Sequence, residues 1–466
     1  MIPNPIQTLK DPEARRTIFR LAWPTMTETA LQTVVQYVDT AQVGLLGAAA
    51  SAAVGLTSTT TWLVNSPIWA IGTGVMACIA QALGAGDRQR ASRAADQSLL
   101  LVLVLGSVMT AVTLLISPHL PDWLGASAEI RRDAALYFGI CCVPMLLRVS
   151  SVIFAAALRA TGNTRTPMRI NVLMNVINIV LNYLLINPVR TVRVGPLSVT
   201  VWGAGWGVTG AAVATAAAYA AGGILMFAAF RKCDLFSELH LKYDREVMGK
   251  CLGIGMPIAG ERMISMFGQV VFTALVARLG TIAVAAHSIA LTAESAFYVP
   301  GYGMQTAAAT LSGYYYGAKD EKKLMEFSSS IMLIASLLMG FLGLFLFLFP
   351  SFFMKIFTKD PNVIAMGAAV LRIVAVSEPF YAVFIILEGT FNGVGDVKAP
   401  LVFALVSMWG VRILFTFICV TRLHLGLRAV WCCMVADNMT RFILMTRRYA
   451  GTRWKRGILS PPAAEQ

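Results

Sequence analysis

Charge is scarce in this chain of 466 residues: Asp, Glu, Lys and Arg make up 13% of it, roughly half the share usual in a soluble domain. Hydrophobic residues reach 57% and mean hydropathy is +0.68. That balance excludes a soluble globular domain. Histidine is rarer still, and the four (His119, His240, His287 and His424) include no pair at ligand spacing. The eight cysteines are scattered, with adjacent pairs at Cys141–Cys142 and Cys432–Cys433 and no CxxC. Most lie in apolar stretches, where a free thiol acts as a small hydrophobe, so neither a disulfide nor a metal role is assigned. The loops containing GAGD, TGNT and GVGD lack the Lys-Ser/Thr ending of a phosphate cradle and read as helix junctions, with no nucleotide site. No His, Asp/Glu or Cys constellation suggests catalysis, so no enzyme, catalytic residue, metal or cofactor is expected. The first 20 residues include Pro3, Pro5 and Pro12, with no apolar run before Leu21, and carry no recognisable signal peptide.

What the chain has in abundance is long apolar segments. Twelve are long enough to cross a bilayer, at roughly 21–43, 52–83, 98–117, 135–157, 170–187, 208–230, 251–278, 283–316, 327–349, 364–390, 401–420 and 429–447. The predicted organisation is a cytoplasmic amphipathic segment (1–20), a lobe of six helices (21–230), a cytoplasmic linker (231–250), a second lobe of six (251–447) and a cytoplasmic tail (448–466). The net charge of +14 invites a nucleic-acid reading, but its distribution points elsewhere. Segments predicted to lie inside hold 24 Lys and Arg, and those outside hold 8. This is the positive-inside rule. It places both termini in the cytoplasm of a multi-pass cell-membrane protein and leaves no nucleic-acid partner.

A repeat decides the architecture. Pro24, Glu28, Gly47 and Pro67 stand 233 residues before Pro257, Glu261, Gly280 and Pro300. Gly84–Asp87 and Gly317–Asp320 keep the same offset, as do Gly162 and Pro167 with Gly395 and Pro400. The fold class is therefore an all-α polytopic membrane protein: twelve transmembrane helices in two six-helix lobes related by a pseudo-two-fold axis along the membrane normal.

The first span carries two acids, Glu28 and Asp39. Each is costly in a bilayer, by roughly 2.5–3.5 kcal/mol at a helix centre. Eleven residues are about three turns, so both lie near one face, about 16 Å apart along the axis. That face must meet protein or water. Asp39 has Phe272 at its repeat position, so the acid belongs to one half only, which suits an ion- or proton-binding role better than a structural one. In the fifth span Asn171, Asn175, Asn178 and Asn182 fall on one stripe, whereas Ala404, Met408, Val411 and Phe415 occupy the second-half positions. Such amides either serve a site or hydrogen-bond neighbouring helices. Glu28 and Glu261 form a symmetric pair, each four residues after a proline. They either satisfy backbone groups freed by Pro24 and Pro257 or touch substrate. Glu294, Glu378 and Glu388 could attract a cation, with pairing to Arg372 or Arg412 as the plain alternative. His287 reads as a hydrogen-bonded core residue. The 22 Met and 24 Phe suit a core, a lipid-facing surface or a soft substrate wall.

Taken together, these motifs resemble the multidrug and toxic compound extrusion (MATE) family over essentially the whole chain. The first half contributes LAWP ending at Pro24, Asp39-Thr40, Val43-Gly44, LGAGD ending at Asp87, ATGNTRTP ending at Pro167 and the run from Gly210 to Thr215. The second half contributes GMP ending at Pro257, Ala285-Ala286-His287, PGYG ending at Gly303, YYGAKD ending at Asp320 and GVGDVKAP ending at Pro400. The resemblance implies a central cavity between two lobes and exchange of amphipathic, often cationic compounds for protons or sodium ions. It also implies that Asn178, Asn182 and Thr215 surround Asp39. One branch of the family carries a second Asp where this chain has Asn182. The sodium-coupled branch carries acids where this chain has Ser265 and Tyr381. One carboxylate among neutral groups supports sodium less well than a proton. The expected function is a secondary active antiporter exporting drugs and toxins that are amphipathic, mainly cationic organic compounds, in exchange for protons. Glu28, Glu261, Glu294 and Tyr381 are candidate cavity residues, and the protein is expected to be a monomer. The alternative is a lipid-linked saccharide flippase of the same broader superfamily, although such a carrier favours a strongly cationic cavity.

Overall fold

The computed structural model of the chain describes residues 5–194, 197–236 and 242–459. The first four residues, the linker stretch 237–241 with His240, and the tail from 460 lie outside the described residues. A short helix α1 (Pro5–Lys10) precedes α2 (Pro12–Gly44). The first crossing helix starts earlier than hydropathy predicts, because Pro12 sits in the first turn, where its missing N–H costs no bond. Ala14 and Ile18 then bury their side chains below the apolar run.

Next come α3 (Ala48–Gly84), α4 (Arg88–Ile116), α5 (Leu120–Trp123), α6 (Ala128–Cys142), α7 (Met145–Ala160) and α8 (Arg165–Ile186). A hairpin of β1 (Pro188–Val194) and β2 (Leu197–Ala204) leads to α9 (Gly207–Arg231). The second half holds α10 (Arg245–Ala277), α11 (Thr281–Gly317), α12 (Glu321–Leu348), α13 (Pro350–Phe357), α14 (Pro361–Ala375) and α15 (Glu378–Val394). Its remaining elements are α16 (Lys398–Leu405), a π-helical segment (Val406–Ile413), α17 (Leu414–Thr421), α18 (Leu427–Ala450) and α19 (Arg456–Leu459). Seven helices pass as membrane spans on length and apolarity, and the bent pairs α6–α7 and α14–α15 raise that number to nine among the described residues. The more polar α2, α10 and α18 complete the twelve crossing helices.

The repeat is visible in the element bounds. Adding 233 to the bounds of α2, α3 and α6 gives those of α10, α11 and α14 residue for residue. The two bent spans break at matching places as well, by 50° at Val143–Pro144 and by 56° at Val376–Ser377. A proline at each break removes a helical donor and directs the chain off axis: Pro144 in the first and Pro379, in the first turn of α15, in the second.

The offset fails after the fifth span because the first half carries the hairpin where the second has only Arg422–Gly426 between helices. This is the departure from an all-helical chain. PVRTVRV and LSVTVWGA alternate with period two and are rich in β-branched residues, a signal inside a stretch otherwise read as an outer loop. Gly203 lies against the Asn187 carbonyl with no room for a Cβ, and Gly205 takes a φ of +69°. The hairpin therefore requires glycine as it closes onto α9.

The chain packs into two compact units. One holds the described residues up to Ala30, Met76–Arg88 and the residues from Lys250 onward. Its apolar core centres on α11, α12 and α15, with Met304, Leu324, Ile331, Ile385 and Phe391, and Trp454 of the tail completes it. A second cluster gathers Phe272, Val276, Leu371 and Trp431. In this unit the ends of α3 and α11 cross at glycines related by the repeat. A Cβ on Gly84 would strike the Tyr314 carbonyl, and one on Gly317 would strike the Gln81 carbonyl. Gln81 Nε2 donates to the carbonyls of Gly393 at 2.7 Å and Val394 at 3.0 Å, pinning the same helix end to α15.

The other unit holds Leu31–Val75 and Gln89–Gly249. Here α9 offers small residues (Gly210, Ala211, Ala212, Ala214, Gly222 and Gly223), which lets α7 and α8 approach it closely.

Candidate functional site

The unit containing α8 and α9 brings four of the candidate residues together. Asp39 lies near the end of α2, half-buried, while Asn178 and Asn182 sit one turn apart on α8 and are buried. Asn182 Nδ2 donates to Asp39 Oδ1 at 2.7 Å. The Asn178 amide lies 2.7 and 3.1 Å from the two Asp39 carboxylate oxygens and 3.3 Å from Thr215 Oγ1 on α9. With its Nδ2 facing the carboxylate and its Oδ1 accepting from the Thr215 hydroxyl, each group meets a partner of opposite polarity. The carboxylate is thus held by two amide donors, the second fixed in turn by a hydroxyl. Asn182 Oδ1 remains a buried acceptor with no hydrogen-bond donor among the described residues.

The sequence explains this constellation locally. The i, i+4 spacing of Asn178 and Asn182 sets both amides on one helix face, and the Gly210–Thr215 run lets α9 come close enough for a short threonine to reach Asn178. Asn171 is buried further along the stripe, and the Asn175 Nδ2 is buried without a partner among the described residues. Around the same site, Tyr137 on α6 and Tyr219 on α9 interact electrostatically with Asp39. Arg148 lies over the Tyr219 ring at 4.2 Å and reaches Asn65 Oδ1 at 3.4 Å. The tyrosines and Arg148 were not legible as site residues, because nothing in their spacing links them to Asp39.

The other unit holds Glu28, Glu261, Glu294 and Tyr381. The three glutamates are buried in their spans, and Tyr381 is half-buried on α15. Beside Pro24, the Thr25 hydroxyl donates to carbonyls of its own helix and lies 2.7 Å from the Gly303 carbonyl of α11. Tyr381 Oη lies 3.2 Å from Tyr302 Oη. Among the described residues, neither Arg372 nor Arg412 forms an ion pair with Glu294, Glu378 or Glu388. Glu388 meets Arg262 at 3.9 Å, and Glu378 and Glu294 are electrostatic neighbours. Arg412 instead pairs with Asp437 at 2.8 Å, and Arg441 holds the other Asp437 oxygen at 3.0 Å.

This Arg–Asp–Arg group, with Asp437 fully buried, escaped the sequence reading. Its signal was the i, i+4 spacing of Asp437 and Arg441 inside an apolar span. Arg412 reaches the group from the π-helical segment, a local geometry frequent at functional positions. His287 is core, accepting from Trp431 Nε1 at 3.2 Å through Nδ1. Among the described residues no three His, Cys, Asp or Glu side chains gather as a metal site.

The MatE family profile matches residues 24–184 and 257–418, two copies that begin 233 residues apart. A relative from Thermotoga maritima, described as a probable multidrug resistance protein NorM, is 29% identical over 452 residues, covering 96% of this chain and 95% of its own. A Bacillus subtilis relative, the uncharacterized transporter YisQ, is 25% identical over 443 residues, covering 94% of each chain. Among solved structures, a MATE protein in its straight conformation superposes with a TM-score of 0.87 at 24% identity, covering 99% of this chain and all of that one. The repeated profile, the twelve helices and these likenesses agree: the chain belongs to the MatE family, the multidrug and toxic compound extrusion transporters.

Proposed function

We propose that this protein is a proton-coupled exporter of amphipathic organic cations. Its two repeats (21–230 and 251–447, joined by the linker 231–250) would open alternately to the two sides of the cell membrane, with both termini in the cytoplasm. The relatives described as multidrug resistance proteins support the substrate class. The observation that carries the coupling is the hydrogen-bonded setting of Asp39. The Asn182 amide donates to its carboxylate at 2.7 Å, and Asn178 is a second donor when its amide is assigned to suit its neighbours. A sodium ion would need the Asn182 oxygen turned inward as a ligand.

A proton needs no shell of oxygen ligands. Once protonated, Asp39 becomes a donor as well as an acceptor, and a turn of the Asn182 amide would offer it Oδ1, which has no donor among the described residues. Gaining or losing this proton changes which neighbours Asp39 can bond, which is the differential interaction needed to bias two conformations. Thr215 and Asn178 act as positioning groups for the carboxylate.

The test is substrate-induced proton release. Purified protein in weak buffer is titrated with an organic cation while pH is followed. Wild-type protein is expected to release protons on binding, and Asp39→Asn to bind without release. Equal release from a well-folded Asp39→Asn variant would remove Asp39 from the coupling.

A further inference from the structure

A half-exposed arginine in the middle of a crossing helix calls for an explanation. Arg262 lies midway along α10, and its side chain is 40% exposed. A guanidinium at that depth is tolerated where it meets water in a cavity and is costly against lipid. Its acid partner, Glu388 on α15, is 8% exposed and lies 3.9 Å away. That separation is too long for a hydrogen bond, so attraction alone holds the pair. The contrast is Asp437, which accepts a hydrogen bond from Arg441 Nε at 3.0 Å and has Arg412 Nε at 2.8 Å. The Arg262–Glu388 pair is the looser of the two, with no hydrogen bond and the longer separation.

The surroundings of the loose pair are aromatic. Tyr302 and Tyr381 stand hydroxyl to hydroxyl at 3.2 Å. Tyr298 packs edge-on against both, with centroids at 5.7 and 5.9 Å and planes at 83° and 69°. Phe384 follows Tyr381 at 5.5 Å, with Arg441 over its ring at the same distance. Arg262 interacts electrostatically with Glu388, Tyr302, Glu261 and Tyr381 together. The i, i+4 spacing of Tyr298 and Tyr302 on α11, and the i, i+7 spacing of Tyr381 and Glu388 on α15, keep rings and acid on facing stripes. Rings at steep angles beside a buried carboxylate are the chemistry that binds a delocalised organic cation.

We propose that Glu388, Tyr302 and Tyr381 form a binding site for a flat aromatic cation, and that Arg262 occupies it as a tethered stand-in for the substrate. The incoming cation replaces the guanidinium at Glu388 and stacks on the tyrosines, while the Arg262 side chain, 40% exposed, swings aside. Displacement keeps Glu388 paired throughout, which lowers the cost of taking up a cation inside a membrane protein. The site deepens the export reading and rests on it.

The experiment titrates ethidium against the purified full-length protein by fluorescence anisotropy, with thermal unfolding of every variant as the folding control. Arg262→Gln removes the resident competitor and is expected to tighten binding about threefold or more. Glu388→Gln is expected to weaken it at least tenfold. Replacing Tyr302 and Tyr381 together by Leu is expected to weaken binding roughly tenfold, while the double Phe variant, which keeps the rings, binds nearly as wild type. A purely structural arginine gives unchanged or weaker binding in Arg262→Gln, and either result overturns the site. Wild-type binding with all variants alike discards the site and leaves the export reading standing. No binding by wild-type protein contradicts both.

Discussion

At the scale of single residues, two acids are held in opposite ways. Asp39 is half-buried and bonded by neutral amides, so its protonation state can change without breaking an ion pair. Asp437 is fully buried between two guanidinium groups and serves as a fixed counter-ion. A hydrogen bond to a charged group is worth about 1.5–3 kcal/mol, so Asn182→Ala is expected to slow ion-driven export roughly tenfold or more, as measured by substrate uptake into everted vesicles. Asp437→Ala leaves two buried arginines without their partner and is expected to cost about 3–5 kcal/mol, seen as a large fall in thermal unfolding temperature, whatever the substrate. The first acid was legible because it interrupts an apolar run and has Phe272 as its repeat partner. The second was not, because an acid and a base one turn apart look like an ordinary helix pair until Arg412 arrives from another span. The loose partner of Glu388 escaped for a related reason: adjacent residues such as Glu261 and Arg262 point in different directions, and sequence does not say where either ends.

At the scale of elements, close approach and capping set what the helices tolerate. The crossing of α3 and α11 at Gly84 and Gly317 puts each glycine against a carbonyl of the other helix. Gly84→Ala and Gly317→Ala are each expected to destabilise the protein by about 1–3 kcal/mol, whereas Gly249→Ala, where an added Cβ meets nothing within 4 Å, is expected to leave the unfolding temperature nearly unchanged. At the start of α10, Asp244 Oδ1 accepts from the backbone N–H groups of Val247 at 3.1 Å and Glu246 at 3.0 Å. The Val247 bond leads, with Glu246 and the Arg93 guanidinium, in holding the Asp244 carboxyl below its ordinary range. A carboxyl depressed in the folded state stabilises above its unfolded titration range and loses that contribution as pH falls through the folded one. Amide exchange at Val247, corrected for the intrinsic pH dependence, should therefore stay slow at neutral pH and quicken in acid below the usual carboxylate range. The helices themselves were readable from apolar runs. The bends at Val143–Pro144 and Val376–Ser377 and the π-helical segment were not, because a proline in a span permits a kink without fixing its angle.

At the scale of the whole molecule, the 233-residue offset was the most informative feature of the sequence. It returns in the bounds of α2 with α10, of α3 with α11 and of α6 with α14, and again in the two matches to the MatE profile. Two copies of one plan explain why the architecture could be read without a template. The functional differences lie where the copies diverge: Asp39 and the amide stripe in one, the arginine and glutamate pairs in the other. In the proposed exporter, that divergence puts coupling in the first half and cation recognition in the second, with coupling resting on a single acid. The most direct measurement places the purified protein in liposomes and follows an organic cation while a pH gradient or a sodium gradient is imposed separately. The account predicts transport driven by the pH gradient alone and abolished by Asp39→Asn. Transport driven by sodium alone, or undiminished in Asp39→Asn, would contradict it.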